Sequence, residues 1–256
     1  MILPYVYALL SGLFSGGALG MTGGGGSILA VPLLVYWVGQ DVHLAIGTSL
    51  IAVGATSLIS SVSYMRQSLV KFRIAFLMAA PGLLSTYLGA LLNKQIKGPV
   101  LLLFFALLMI FIGYLMTRKK SQTADDTTEA QTIQYGRIII LGFLTGFASG
   151  FFGVGGGFLL VPALFLGARL KMKEAIATSL FIIFLFGTFG LASYIIQGRE
   201  INLMISAVFV IGGSLGGIIG AWYAKRLNQA RLRYIFSIFI ILIGIVIFTQ
   251  NLLSLF

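Results

Sequence analysis

Two segments of this 256-residue chain concentrate the residues best suited to meet a ligand. They are Gly20-Met21-Thr22-Gly23-Gly24-Gly25-Gly26-Ser27 and Gly150-Phe151-Phe152-Gly153-Val154-Gly155-Gly156-Gly157. Runs of adjacent glycine break a helix. An apolar run follows each break, so a new helix is expected to start at about Ser27 and at about Gly157. The start of a helix offers unpaired backbone N–H groups and the positive end of the helix dipole. That is chemistry for an anion, with glycine allowing close approach to the backbone. Gly23, Gly24, Gly25, Gly26, Ser27, Gly153, Gly155, Gly156 and Gly157 are therefore the first candidate binding residues.

Thr48-Ser49 and Thr178-Ser179 bring hydroxyls into the next apolar run of each half. Each either coordinates an oxyanion or bonds a carbonyl of its own helix. Gln67 and Gln197 lie just past those runs, behind Tyr64 and Tyr194. Their amides either guide a polar solute or sit with the tyrosines at the membrane interface. The spacing Gly12-x-x-x-Gly16-x-x-x-Gly20, repeated at Gly142, Gly146 and Gly150, instead suits close helix contact. Gly212, Gly213, Gly216, Gly217 and Gly220 form a further packing stripe, either within one chain or between chains.

Other chemistries find no residues. Cysteine is absent and His43 is the only histidine, which removes disulfides, thiolate metal sites and most histidine catalysis. The six carboxylates lie between or near the ends of apolar runs, where no Ser-His-Asp set or metal cluster can be assembled. No Walker-type lysine motif is present. The sequence therefore predicts no enzyme, no catalytic residue, no metal and no cofactor. Carriers of cations and protons generally need a carboxylate inside the membrane, and its lack here points to an anion.

The elements that position these residues follow from composition. The chain is 59% apolar and 9% charged, with a mean hydropathy of +1.05. A soluble domain carries about 25% charged residues. An all-α integral membrane protein is expected, with eight to ten membrane segments at about 20 residues each. Its solvent is the lipid bilayer. Formal charge is +11, but the basic residues sit in short loops, as orientation by the positive-inside rule requires. Nucleic acid is not an expected partner. Met1-Ile2-Leu3-Pro4 has neither a basic region nor a small-residue cleavage site, so no signal peptide is read.

The chain reads as a duplication. At an offset of 130, Gly12, Gly16, Gly20, Pro32, Thr48, Ser49, Ser63, Tyr64 and Gln67 meet identical residues in the second half. At 131, Gly82, Gly89, Lys94 and Gly113 do the same. This gives repeat 1 over 1–117, a polar linker over 118–134 and repeat 2 over 135–256. Charge orients them. If each glycine-broken segment enters the membrane and returns, only Lys94, Lys97 and Arg199 of the 17 Lys and Arg face the opposite side from the rest. That is the bias expected of a membrane protein. It places both termini outside and the linker in the cytoplasm. Each repeat is then a hairpin of short helices plus three spans, and the two repeats are inverted. Ile28 to Val38 is 11 residues, about 17 Å as helix against about 30 Å of hydrocarbon, which suits a half-helix beginning inside the membrane.

At these residues the chain resembles the TauE/SafE family of sulfite and sulfonate exporters. The resemblance rests on Gly150-x-x-Gly153-x-Gly155-Gly156-Gly157 with Val161-Pro162, on Ala175-x-x-Thr178-Ser179, and on their counterparts in the first repeat. Those counterparts are Gly20-x-x-Gly23-x-Gly25-Gly26, Val31-Pro32 and Ala45-x-x-Thr48-Ser49; the first repeat departs in Gly24 and Ser27, where the second has Val154 and Gly157. The resemblance implies export of a small sulfur-containing anion of the sulfite, organosulfonate or thiosulfate class across the plasma (inner) membrane. The expected mechanism is secondary transport by alternating access around paired glycine-rich helix breaks. The alternative is a passive anion channel using the same hairpins.

Overall fold

The structure is a computed structural model that describes residues 3–93, 95–96, 98–118, 135–152 and 157–253. The linker residues 119–134, the candidate glycines Gly153, Gly155 and Gly156, and Lys94 and Lys97 lie outside the described residues.

The described chain is built of helices. Repeat 1 contains α1 (Leu3–Thr22), α2 (Gly25–Tyr36), α3 (Val42–Met65), α4 (Phe72–Asn93) and α5 (Gly98–Arg118). Repeat 2 contains α6 (Tyr135–Phe152), α7 (Gly157–Pro162), α8 (Met172–Ile196), α9 (Leu203–Arg226) and α10 (Gln229–Leu253). A π-helical turn, Ala163–Gly167, continues α7. Among the described residues, eight helices are long and apolar enough to cross a membrane, and α2 and the α7 segment are shorter. Large apolar side chains such as Leu84, Ile196, Leu203 and Ile219 are exposed on the outer faces, as lipid contact requires.

Glycine sets which helices meet. On α1, a Cβ at Gly12, Gly16 or Gly20 would overlap the carbonyl of Phe209, Gly213 or Gly217 on α9. On α6, a Cβ at Gly142, Gly146 or Gly150 would overlap the carbonyl of Met78, Gly82 or Thr86 on α4. These are the same contacts one repeat apart. Backbones approach this closely only where side chains are missing, and the gain is van der Waals packing, since lipid gives no hydrophobic drive between helices. The stripe Gly212, Gly216 and Gly220 packs in return on α1, within the one chain. The repeats are thus interleaved, each contributing its hairpin to the other's fourth helix.

The equivalent helices α3 and α8 form the buried centre and run antiparallel: Gly47 faces Tyr194, while Gly54 faces Gly187. The equivalent pair α5 and α10 also runs antiparallel, with Gly113 against Ser237 and Ile241, and Gly244 against Ala106 and Ile110. Antiparallel pairing of equivalent elements is compatible with inverted repeats.

The first helix break is narrower than the glycine run. Gly23 has φ +73°, a left-handed conformation that glycine adopts without penalty. The new helix begins at Gly25, not at about Ser27. The reason is Thr22, whose Oγ1 accepts the Gly25 N–H at 2.9 Å and caps the new first turn. Helix α2 then folds back along α1: Ser15 Oγ donates to Gly26 O at 2.6 Å, and a Cβ at Gly26 would overlap Ser15 and Leu19. At 12 residues α2 is about 18 Å long, too short to span. Pro162 closes α7 where the wider π-helical turn begins.

Candidate functional site

The two hairpins meet tip to tip. A Cβ at Gly24 would overlap Gly157 O and lie 2.8 Å from Phe158 N; a Cβ at Gly157 would lie 2.8 Å from Ser27 Oγ and 3.1 Å from Gly24 Cα. Gly23, Gly24, Gly25, Gly26, Ser27 and Gly157 are all buried. The start of α2 thus faces the start of α7, with the Ser27 hydroxyl and the Ile183 side chain of α8 beside Gly157. Ser27 Oγ donates to Gly24 O at 2.7 Å, inside its own turn.

Side chains from the central helices hold the tip. Ser179 Oγ on α8 lies 2.7 Å from Gly23 O and 2.8 Å from Ile176 O, so a hydroxyl of repeat 2 ties the turn of repeat 1. Tyr64 on α3 donates to Gly20 O at 2.7 Å. Gly20 O is among the last carbonyls of α1, which have no partner within their own helix. Tyr64 is almost wholly buried, so removing its hydroxyl leaves a buried carbonyl unpaired. Tyr64→Phe is expected to cost about 1–3 kcal/mol. The check is thermal unfolding of the purified protein, where Tyr64→Phe should unfold at a lower temperature and Tyr223→Phe, at an exposed position, should match wild type.

The other candidates sit apart from the tips. Thr178 Oγ1 accepts the Lys71 N–H at 3.0 Å, and Thr48 Oγ1 accepts the Asn202 N–H at 3.4 Å. These repeat-related bonds join each central helix to the start of the other repeat's fourth helix. Ser49 Oγ lies 2.8 Å from Ile46 O. Gln67 is exposed and lines a cavity of about 500 Å³ with Ser63, Arg66 and Lys225. Lys225 Nζ lies 2.7 Å from Ser63 Oγ and 3.1 Å from Ser63 O. This cavity, which we call the vestibule, lies at the Tyr64 end of α3; Ile59, Val62 and Ile218 complete its lining, and Arg66 and Lys225 make it cationic. Gln197 Nε2 donates to Ser193 Oγ at 2.8 Å. The structure therefore gathers Gly23, Gly24, Gly25, Gly26, Ser27, Gly157 and Ser179, and leaves Thr48, Thr178, Gln67 and Gln197 outside that group.

Sequence reading did not single out the buried hydroxyls of Ser11, Thr56, Ser57 and Ser60, which have no hydrogen-bond partner. Thr56 and Ser60 face Gly213 and Gly217 of α9. The signal available for Thr56, Ser57 and Ser60 was their number on one span, α3, since unpaired polar groups are costly in an apolar interior.

Among the described residues, eight helices long and apolar enough to cross a membrane pack with two half-helices that meet tip to tip, the build of a multi-pass membrane protein. The family model described as Sulfite exporter TauE/SafE matches residues 8–247, and the chain belongs to that family. It is 39% identical to a probable membrane transporter protein of Xylella fastidiosa, over 96% of this chain and 95% of the relative. It is 31% identical to the probable membrane transporter protein YunE of Bacillus subtilis, over 98% of this chain and the whole of the relative. A probable membrane transporter protein of Haemophilus influenzae is 28% identical over 94% of this chain. No solved structure matches the chain significantly. The chain is a membrane transporter, a kind of protein that moves a solute rather than converting it.

Proposed function

We propose that the chain is a secondary transporter that exports a small sulfur-containing anion, such as sulfite or an organosulfonate, across the plasma membrane. The observation that carries the reading is the burial of two half-helix starts against each other, Gly24 on Gly157, at the centre of the bundle. Two positive helix ends brought together suit an anion between them. Gly23, Gly24, Gly25, Gly26, Ser27 and Gly157, with Gly153, Gly155 and Gly156 of the second run, form the proposed binding region, and Ser179 positions its first half. The full burial of the described tips supports an occluded conformation and hence alternating access rather than an open channel. In this reading, repeats 1–117 and 135–256 are inverted in the membrane, and the 118–134 linker lies in the cytoplasm with both termini outside. One interleaved half rocks against the other around the tips. The cationic vestibule of Arg66 and Lys225 then lies on the cytoplasmic side, where it collects the anion before export.

The test is flux in proteoliposomes loaded with labelled sulfite, an organosulfonate, chloride or an uncharged sulfone. The expected result is saturable efflux of a sulfur oxyanion, accelerated by the same anion on the far side. Linear, unsaturated flux with single-channel current would replace the carrier reading with a channel. Efflux of the sulfone alone would replace the anion.

A further inference from the structure

At the opposite end from the vestibule, three side chains from two helices and a loop gather on the amide oxygen of a fourth. Asn93, the last residue of α4, is buried, and its Nδ2 donates to Phe151 O at 2.7 Å. That bond fixes which way the amide points. Its Oδ1 must then serve as acceptor, and three groups crowd it: Arg199 Nη2 at 2.9 Å, His43 Nδ1 at 3.3 Å and Tyr194 OH at 3.4 Å. The Arg199 guanidinium also stacks on the Tyr194 ring, 4.3 Å from its centroid. Its Nη1 is buried with no partner. Among the described residues the one ion pair is Lys71 with Glu174, so no described carboxylate lies within ion-pair distance of Arg199.

The cluster is short of acceptors. An amide oxygen has two lone pairs, and here it meets Arg199, Tyr194 and, in the tautomer protonated at Nδ1, His43, while a further guanidinium nitrogen has no acceptor at all. A buried cationic donor without a partner is costly. At the other end of the bundle the equivalent tyrosine, Tyr64, also has a cation over its ring, Lys225 at 5.6 Å. That lysine is satisfied by the oxygens of Ser63. The deficit is therefore particular to Arg199.

We propose that His43, Tyr194 and Arg199 form a second oxyanion-binding site, in which Asn93 Oδ1 is the acceptor that the anion replaces. Its ligand is a small oxyanion with at least two oxygens, one for the guanidinium fork and one for the tyrosine and histidine donors. His43 and Arg199 are partly exposed and give access; Asn93 and Tyr194 form the floor. Asn93 also holds the last turn of α6, directly before the second glycine run, so release of Oδ1 by the anion reaches the hairpin. The choice of sulfite as first probe rests on the transporter reading; the site itself does not.

The experiment measures binding of sulfite, phosphate and chloride to the purified full-length protein by calorimetry and thermal shift at constant ionic strength. Wild type is expected to bind sulfite or phosphate in preference to chloride. Arg199→Gln is expected to weaken that binding about tenfold or more, the value of a charged hydrogen bond. Arg199→Lys keeps the charge without the fork and is expected to fall between them; it also serves if Arg199→Gln does not fold. Equal oxyanion affinity in wild type and the folded variants overturns the site, and so does the absence of oxyanion binding by wild type. Oxyanion binding that depends on Arg199 in a protein without sulfite flux upholds this site and removes the sulfite-export reading. Sulfite flux with oxyanion binding indifferent to Arg199 does the reverse.

Discussion

Gly24→Leu is expected to abolish transport while the chain still reaches the membrane. The Gly24 position has no room for even one carbon, because a Cβ there would overlap the Gly157 carbonyl and approach Phe158 N. Overpacking a core costs about 1–3 kcal/mol where side chains can yield. The obstacle here is backbone, which cannot rotate aside, so the two hairpin tips must separate. About 3 kcal/mol against the closed arrangement is a loss of more than about 100-fold in its population. Gly24→Ala is expected to reduce flux and Gly24→Leu to bring it to the level of empty vesicles. Gly136→Ala is the control, since nothing lies within 4 Å of a Cβ there. The measurement is initial efflux rate per reconstituted protein. Wild-type flux in Gly24→Leu would mean that the tips need not touch for transport.

The features legible in sequence were those written in local spacing. Glycines four apart announced close helix contact, and they make it. The offset of 130 to 131 announced a duplication, and the contacts of Gly12, Gly16 and Gly20 recur at Gly142, Gly146 and Gly150. What the spacing did not carry was the partner. Nothing in α1 itself says that it packs on α9 of the other repeat, because spans are apolar on both their lipid and their protein faces, and no polar stripe marks direction. Helix α2 starts two residues before the position expected from the glycine run, for a similar reason. Helix propensity disfavours Gly25 and Gly26, but Thr22 caps them and their missing side chains let α2 lie on α1. Ser179 was legible as a candidate, but its bond to Gly23 spans 156 residues of chain, and no periodicity reports such a distance. Asn93 and Arg199 stayed out of view because each lies at the edge of an apolar run, where polar residues are ordinary. Only their convergence, with His43 and Tyr194, makes them unusual.

Interleaving makes a strong demand on the glycines that do not face the tips. Gly16→Leu and Gly146→Leu are each expected to prevent accumulation of folded protein, and to do so to a similar degree. Gly16 lies against the Gly213 backbone and Gly146 against the Gly82 backbone, in contacts related by the repeat. Neither partner has a side chain to move, so leucine pushes α1 off α9, or α6 off α4, along the whole length of the pair. Because each such pair joins one repeat to the other, the damage is not confined to one half of the chain. The loss at each site is expected to exceed the cost of about 1–3 kcal/mol for overpacking among mobile side chains. Gly17→Ala is the matched control: on the same helix, a Cβ there meets Gly216 O at an ordinary 3.7 Å. The readout is the monodisperse fraction on size-exclusion chromatography after extraction in mild detergent. Collapse of Gly16→Leu beside a normal Gly146→Leu would show that the two interfaces carry unequal loads despite their matching geometry. Assembly would then depend on docking of the first hairpin, and the second would join a bundle already formed.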